Sequence, residues 1–343
     1  MPLAAWLPAV AADGTSVEGR ARGNHRIDAG TMGVAADGVT DDTAALQRAI
    51  DALPVAGGTV HVPAGRYAID ATRKLRLRSH MHLQLAPGAE LLAIPNDAER
   101  SYVILVEDVV DVEVSGGHIR GDRLRHHGTK GEWGHGVATR GASRVTLRDM
   151  RVSECWGDGI SIGSNPSRRG RIVAPSEDVL VARVTCTGNR RQGLTIGRSR
   201  RVRVVDSEFL DTHGTPPAAG IDIEPDSGDP PDGTGARDVV IERCLLRGNR
   251  GPGIQLFKRV RGVRIANCRL LGNGIGVLCT AAMDVTIVSN ILAQNRHHAI
   301  ELKATHGARI DGNRIAAQAP WQRRIRVSPD SSAVSIGDDN RND

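Results

Sequence analysis

The sequence is poor in aromatic residues, with only two Phe, two Tyr and four Trp in 343 positions. Large globular interiors commonly use such rings to fill buried volume. The core must instead be built from Val, Ile, Leu and Ala, which suit the thin interior between short stacked strands. The 40 Gly and 16 Pro indicate many turns. The composition therefore favours stacked β-strands over one large globular interior.

Long apolar runs are also missing, since no stretch approaches the ~20 apolar residues that a membrane-spanning helix needs. Lysine is scarce, so the formal charge of +6 rests on arginine. Arginine-rich surfaces pair with carboxylate, sulfate or phosphate groups. Basic runs interleaved with aromatic residues are absent, which argues against a nucleic-acid partner. We expect neither a nucleic-acid nor a membrane partner.

The first residues, MPLAAWLPAVAADG, contain an apolar stretch and an Ala-rich end but no basic beginning. A secretory signal normally has a basic n-region before its apolar stretch. The segment fits a degraded or trimmed signal. We therefore expect a secreted or periplasmic protein in which residues 1–34 form an N-terminal extension.

A Gly-aliphatic pair closes a polar turn again and again, with Ala for Gly in the last copy. The pairs are Gly136-Val137, Gly159-Ile160, Gly193-Leu194, Gly220-Ile221, Gly253-Ile254 and Ala299-Ile300. Intervals of a few tens of residues are typical of a solenoid coil with connections of variable length. This repeat predicts a single-stranded parallel β-helix of about nine or ten coils over residues 35–318, with a C-terminal tail or cap at 319–343.

A second apolar segment follows each pair, as in RVTLRDMRV at 144–152. Alternation places Val145, Leu147, Met150 and Val152 inside. The turn after it carries a recurring small polar residue, and Asn there can hydrogen-bond to its counterpart ~4.8 Å along the axis. We expect a structural ladder of Cys155, Asn189, Thr212, Asn249, Asn273 and Asn295.

All five Cys are expected to be unpaired, and most of them buried. Cys244 and Cys268 occupy one inward position on adjacent coils, with parallel Cβ vectors that suit a disulfide poorly.

Residues 37–69, DGVTDDTAALQRAIDALPVAGGTVHVPAGRYAI, predict a capping helix. Thr40 or Asp41 can cap a helix at 41–53, whose apolar face would cover the first open coil. That face consists of Ala45, Leu46, Ala49 and Ile50.

This segment resembles the entry motif of the pectate-lyase-like superfamily, and with the coils the resemblance covers residues ~35–315. It implies a right-handed parallel β-helix that acts on a poly- or oligosaccharide. The superfamily includes polygalacturonase- and rhamnogalacturonase-type hydrolases, polysaccharide lyases, C5-epimerases, fructan-processing transferases and phage tailspike depolymerases. The paired-Asp, His-Gly and Arg-x-Lys signature of the polygalacturonase type is not present as a set, and neither is a set matching calcium-dependent pectate lyases or alginate epimerases. No catalytic residue is therefore carried over.

The outward positions around each Gly-aliphatic pair concentrate charged and amide groups on one face. They fall into three columns, which lie two residues before, one residue after and three residues after the aliphatic residue of each pair. The first holds His135, Asp158, Gln192, Pro252 and His298; the second holds Ala138, Ser161, Thr195, Asp222, Gln255 and Glu301; the third holds Arg140, Glu224, Phe257 and Lys303. Long connections at 121–134, 163–178, 212–218 and 224–238 flank this face. Such loops on a regular solenoid are commonly functional, which predicts a groove.

Asp222 and Glu224 are i and i+2, so their side chains should leave the same face ~6.5–7 Å apart. Inverting glycosidases hold two carboxyls ~6.5–9.5 Å apart. We expect Asp222, Glu224 and Asp158 to be catalytic and no metal to be required. The alternatives are a structural acidic pair, or a calcium site completed by Asp226 and Asp229.

Substrate contacts are expected from seven groove residues. Arginines suit uronate carboxylates, and Trp rings suit the C–H faces of sugars. The residues are His135, Arg190, Arg191, Gln192, Trp133, Trp156 and Gln255.

Three functions stay open at this point. The first is a glycoside hydrolase or transglycosylase with a carboxylate acid/base mechanism. The second is a polysaccharide lyase or C5-epimerase on a uronate polymer, for which His135 and Arg191 could supply base and cation. The third is a non-catalytic carbohydrate-binding or tailspike-like module. The partner is a poly- or oligosaccharide, with an acidic one favoured by the arginines; the sugar, the linkage and the oligomeric state are not specified by the sequence.

Overall fold

The computed structural model describes residues 23–165, 173–225, 235–316 and 324–342. Its strands run parallel in two sheets of 20 and 12 strands. The larger sheet contains two rows, row 1 and row 2, and the smaller sheet is row 3. Each coil passes through the three rows in turn, and each strand pairs with its equivalents one coil before and one coil after. The fold is the expected parallel β-helix.

Row 1 contains Leu75–Arg76, Arg100–Glu107, Trp133–Arg140, Ile160–Gly163, Gln192–Ile196, Ala219–Ile223, Ile300–Lys303 and Ile325–Val327. Row 2 contains His25–Asp28, Gly58–Val62, Met81–Leu85, Val110–Ser115, Ser143–Arg148, Ser176–Ala182, Ser199–Val205, Ala236–Glu242, His306–Asp311 and Ser332–Ile336. Two longer strands, Ile254–Ala266 and Val277–Val288, run through both rows.

Row 3 contains Asp37–Asp41, Gly65–Ile69, Ala89–Ala93, His118–Arg120, Arg151–Ser153, Thr185–Thr187, Glu208–Leu210, Leu245–Arg247, Arg269–Leu271, Ile291–Ala293, Arg314–Ala316 and Arg341–Asn342. The stack thus includes a strand within the predicted extension and strands beyond residue 318, so it has more coils than the nine or ten counted from the repeat.

The apolar segment at 144–152 forms two strands where the pattern predicted one. Asp149, at φ 56°, bends the chain between row 2 and row 3. Arg183, on the next coil, repeats the bend at φ 53°. Its guanidinium holds the Asp149 carboxylate, with Nε 2.5 Å from Oδ1. Alternation resumes on each side of the bend, so Val145, Leu147, Met150 and Val152 are all buried as predicted.

The helix Thr43–Asp51, with the 3₁₀ turn Ala29–Met32 beside it, covers the first coil. Its buried face contains the predicted Ala45, Leu46, Ala49 and Ile50. The N-cap is Asp42, one residue after the predicted Thr40 or Asp41, and it makes no side-chain capping bond; the Asp41 carboxylate accepts a hydrogen bond from the Thr43 N–H at 2.9 Å. The helix begins two residues later than expected. Among the described residues no helix is long and apolar enough to cross a membrane.

The predicted ladder is linked through side chains from Asn249 to Asn295, whereas Asn189 Nδ2 and Thr212 Oγ1 have no hydrogen-bond partner among the described residues. Asn249 donates from Nδ2 to Asn273 Oδ1 at 2.8 Å, and Asn273 donates to Asn295 Oδ1 at 3.2 Å. Asn189 Oδ1 accepts from the Cys155 N–H. A second ladder, which the sequence pattern did not predict, joins Asn290, Asn313 and Asn340. All five Cys are free and buried.

Candidate functional site

Strand register assembles the predicted second column on the outward face of row 1. Pairings place Ala138, Ser161, Thr195, Asp222 and Gln255 on successive coils. Leu278, which the sequence pattern omitted, lies between Gln255 and Glu301. Because neighbouring strands lie ~4.8 Å apart, side chains in this column contact one another directly.

Asp222 is fully buried although it points away from the core. Gln192, one coil earlier, donates from Nε2 to Asp222 Oδ2 at 2.8 Å, and Gln255, one coil later, donates to Oδ1 at 3.1 Å. The Gln192 amide is oriented by Ala219, whose N–H donates to Gln192 Oε1 at 3.0 Å. Burial, together with the neighbouring charge of Glu224, raises the pKa of Asp222 well above its usual value. Burial and Glu224 therefore favour the protonated form of Asp222.

Glu224 is just past the end of the strand Ala219–Ile223, and 31% of its side chain is exposed. It shares a side-chain hydrogen bond with Asp222, which also raises the pKa of Asp222. The two carboxyls are therefore closer than the ~6.5–7 Å spacing expected for i and i+2 strand residues. The reason is that Glu224 has left the strand, so its side chain no longer extends parallel to that of Asp222. A water molecule does not fit between two hydrogen-bonded carboxyls, so the inverting-glycosidase spacing does not describe this pair.

Arg191 connects the acidic groups. Its guanidinium lies 3.5 Å from Asp158 Oδ1, 3.5 Å from Glu224 Oε2 and 3.4 Å from Glu132 Oε2, and only 14% of its side chain is exposed. These carboxylates outweigh the desolvation of the buried guanidinium and raise the pKa of Arg191. Arg191 thus holds carboxylates from three coils, and Glu132 is a site residue that sequence reasoning missed.

Asp158 is buried beside Arg191. Thr195 Oγ1 donates to Asp158 Oδ2 at 2.9 Å. Desolvation nevertheless outweighs this bond and the positive charges of Arg191 and Arg140, and it raises the pKa of Asp158 to about 6. A carboxylic acid with such a pKa can give up its proton near neutral pH, which is the property of a general acid.

The preceding Gly157 lets the 131–134 segment pack against this centre. A Cβ at Gly157 would lie 2.3 Å from the Glu132 carbonyl oxygen and 2.9 Å from His135 Nδ1. A residue without a Cβ is thus required at position 157 for close packing here.

His135 lies next to Asp158 and is neutral. The Asp158 backbone N–H donates to His135 Nδ1 at 3.1 Å, which places the ring proton on Nε2. Burial, and then the charges of Arg140, Arg191 and Arg100, lower the pKa of His135 well below 6.5.

Tyr102 stacks on the His135 ring, with centroids 5.4 Å apart. Arg100 donates to the Tyr102 hydroxyl at 3.0 Å, and Lys74 Nζ and Arg140 Cζ lie 5.3 and 5.7 Å from the ring centroid. The sequence analysis missed Tyr102 because its strand has no Gly-aliphatic pair, although Tyr102 pairs with His135 in the first column.

Two of the expected substrate contacts hold the 121–134 connection in place. Arg190 lies over the Trp156 ring at 3.7 Å and donates to the Gly131 carbonyl oxygen at 3.0 Å. Trp156 stacks on its other side against His126, with centroids 4.1 Å apart. Trp133 is covered by Arg100, whose Cζ is 4.6 Å from the ring centroid. Arg190 and Trp156 therefore contact each other and the connection, rather than the acidic centre.

Asp226 and Asp229, which would complete the alternative calcium site, lie outside the described residues. Among residues 23–165, 173–225, 235–316 and 324–342, no group of three or more His, Cys, Asp or Glu side chains is arranged to hold a metal ion. Glu224, within that part, contacts Arg191 and Asp222.

Two sequence families match the chain. Residues 172–319 match the family described as right handed beta helix region, and residues 27–87 match the family described as rhamnogalacturonase A/epimerase, pectate lyase-like. Both matches agree with the fold and with the helix-capped N-terminal segment.

Relatives of known sequence include an uncharacterized Bacillus subtilis protein, YclG, which is 29% identical over 240 residues. These residues are 64% of this chain and 40% of YclG. Mannuronan C5-epimerase AlgE4 of Azotobacter vinelandii is 32% identical over 143 residues, which are 37% of this chain and 26% of the epimerase. The chain thus spans less than half of these relatives.

Solved structures show the same fold at low sequence identity. The A-module of Azotobacter vinelandii AlgE4 superposes with a TM-score of 0.67 at 20% identity, covering 91% of this chain and 95% of the module. The tailspike gp49 of Acinetobacter baumannii bacteriophage Fri1, a capsular polysaccharide depolymerase, has a TM-score of 0.67 at 15% identity, covering 90% of this chain and 58% of the tailspike. The chain therefore has the right-handed parallel β-helix fold, and two parts of it match the two families named above.

Proposed function

We propose that the protein is a carbohydrate-active enzyme that cleaves or transfers glycosidic bonds of a polysaccharide at the centre formed by Asp158, Asp222 and Glu224. The observation that carries the proposal is that one guanidinium, that of Arg191, holds a buried acid and a partly exposed carboxylate together. Pairs of carboxyls in such different environments are typical of acid/base division of labour. The relatedness to a polysaccharide depolymerase and to mannuronan epimerases supports a polysaccharide substrate.

The buried environment of Asp158 and the partly exposed environment of Glu224 support different catalytic roles for the two carboxyls. Asp158, with its pKa of about 6, donates a proton to the leaving oxygen. Glu224 faces solvent and acts as base or nucleophile on the other side of the bond. Asp222 shares its proton with Glu224 and is held in place by Gln192 and Gln255.

Isosteric variants test this assignment. Asp222→Asn and Glu224→Gln keep the shape of each side chain but remove the shared proton or the base, so each should lower turnover by at least about 10²-fold. Glu301→Gln is the matched control, because Glu301 is a buried carboxyl of the same column whose partners are Lys303 and Arg326. Turnover is measured as new reducing ends from a panel of neutral and acidic polysaccharides. Near-normal turnover in both variants would refute the carboxylate mechanism.

A second candidate is proton abstraction beside a uronate carboxylate, by a lyase or C5-epimerase. It is favoured by the neutral His135 and by Tyr102, which lies among the cations of Lys74, Arg100 and Arg140. A neutral imidazole can accept a proton, and nearby cations stabilise a carbanion. Unsaturated uronate, detected by ultraviolet absorbance, or inverted C5 configuration, detected by NMR, would identify this chemistry. His135→Ala should then abolish activity while Asp222→Asn preserves it. Binding without either product would indicate a carbohydrate-binding module.

A further inference from the structure

The outward face of row 3 carries two adjoining depressions on a different side of the coil from the acidic centre. The first, of about 350 Å³, lies under the 121–125 segment and is lined by Arg66, Leu92, Arg120, Arg125 and Glu154 among others. The second, of about 670 Å³, is more open and is lined by Arg151, Arg183, Thr185, Thr187 and Glu208 among others.

The two depressions lie along the same strand column of row 3 and are together called the trough. Arg120 of the first pairs with Ser153, which pairs with Thr187 of the second, so they are two coils apart along one column. With strands ~4.8 Å apart, this is about 10 Å. A linear polymer lying along the coil axis would cross both depressions.

The trough is lined by the carboxylates Asp122 and Glu208 as well as by two groups of arginines. Arg66, Arg120 and Arg183 are paired with acids, namely with Glu90 at 3.2 Å, Glu154 at 2.7 Å and Asp149 at 2.5 Å. Arg125 and Arg151 have no carboxylate partner within the part of the chain that the structure describes, and both are exposed. Unpaired guanidinium groups leave donors aimed at solvent, where they can bind carboxylate or sulfate bidentately.

Two further exposed arginines lie in row 3 toward the C-terminal coils, beyond Glu208 and Leu245. Arg247 and Arg269 are exposed on row 3, and in the described residues they too have no carboxylate partner. Arg269 lies four coils from Arg151 along one column, a distance of about 19 Å. A single small anion would not reach these positions together, whereas a polyanion would.

We propose that this trough is a second binding site, for a linear anionic glycan, that acts independently of the acidic centre. The Thr185 and Thr187 hydroxyls and the Arg–acid pairs provide donors and acceptors for sugar hydroxyls. Stacking platforms for nucleic-acid bases are absent, because neither set of described lining residues contains an aromatic ring. The site would hold an acidic polysaccharide on one side of the coil while another stretch of polymer reaches the centre on row 1.

Titration calorimetry tests the proposal with three probes: an oligogalacturonate, the same oligosaccharide with its carboxyls reduced to alcohols, and a single-stranded oligonucleotide of similar charge. The Arg125→Glu/Arg151→Glu double variant should bind the oligogalacturonate at least about tenfold more weakly, because it loses two charge-assisted contacts. The Arg203→Glu variant is the control, since Arg203 is an exposed arginine of row 2.

Unchanged affinity in the double variant would overturn the proposal, and so would equal binding of the reduced oligosaccharide or tighter binding of the oligonucleotide. Turnover of a short substrate should be normal in the double variant, because the trough does not contact the acidic centre. A failure of the trough is thus distinct from a failure of the proposed catalysis, which Asp222→Asn and Glu224→Gln report.

Discussion

Replacing Asp158 with Asn should change how the stability of the protein depends on pH. Burial raises the pKa of the Asp158 carboxyl from 3.8 to about 6, against the opposing charge of Arg191 and the hydrogen bond from Thr195. One pKa unit corresponds to about 1.4 kcal/mol, so ionising this carboxyl costs about 3 kcal/mol more in the folded protein than in the unfolded chain.

The sign follows from the direction of the shift. The folded state binds the Asp158 proton more tightly than the unfolded state, so this contribution to stability is fully present below pH 3.8. It is lost as the pH rises through about 6. Asn has no proton to lose, and the variant should therefore lack this part of the pH dependence.

Urea unfolding at about pH 4 and about pH 8, extrapolated linearly, measures the effect for both proteins. Between the two values, the difference in unfolding free energy between variant and parent should move by about 2.4 kcal/mol in favour of the variant, because the unfolded carboxyl is already partly ionised at about pH 4. Carboxyls that do not interact with Asp158 cancel in this difference. A difference that stays constant over this range would show that Asp158 titrates as an ordinary carboxyl. The general-acid role would then lose its physical basis.

Two further outcomes are expected. Asn249→Ala should lower the free energy of unfolding by about 2–4 kcal/mol, because the buried Thr212 N–H and Phe209 carbonyl oxygen lose their hydrogen-bond partner. Turnover at saturation should be unchanged. Denaturant unfolding measures the first outcome and steady-state kinetics the second. Thr195→Val removes the hydrogen bond to the Asp158 carboxylate and should raise the pKa of Asp158 further. The decline of kcat/KM at high pH should therefore move to higher pH. A pH–rate profile that does not move, or that moves to lower pH, would contradict this.

The fold could be predicted from the sequence because the same physical requirement recurs in every coil. The bend at Asp149 does not change which residues are buried, because alternation is kept on both sides of it. The buried residues are Val145, Leu147, Met150 and Val152. The bend itself could not be predicted from the sequence, because Asp149 and its equivalent Arg183 share no side-chain property that indicates a positive φ. The second Asn ladder was missed for a related reason: it lies at a different corner of the coil.

The candidate site was predictable in its columns but not in its contacts. The spacing placed Gln255 beside Asp222 in the second column, and strand register agrees. The bond from Gln192, which belongs to the first column, was not predicted. Contacts of Arg191 with Glu132 and Glu224 depend on connections whose course no repeat specifies. The stacking of Arg190 on Trp156 likewise depends on where the 121–134 connection folds back. Repetition fixes which residues share a face, whereas irregular segments decide which of them touch.

The two strands that run unbroken through row 1 and row 2 affect how the scaffold could be re-engineered. The strands Ile160–Gly163 and Ala219–Ile223 are each followed by a long connection before row 2 resumes. Ile254–Ala266 and Val277–Val288 have no such connection, and their pairing passes the corner with only a register shift between Phe257 and Val260. Grafted peptides should therefore be tolerated after Ile160–Gly163 and Ala219–Ile223, where a connection is already present. They should not be tolerated within the two continuous strands. A library of variants should therefore vary the connections beside the acidic centre and leave the coils with continuous strands unchanged.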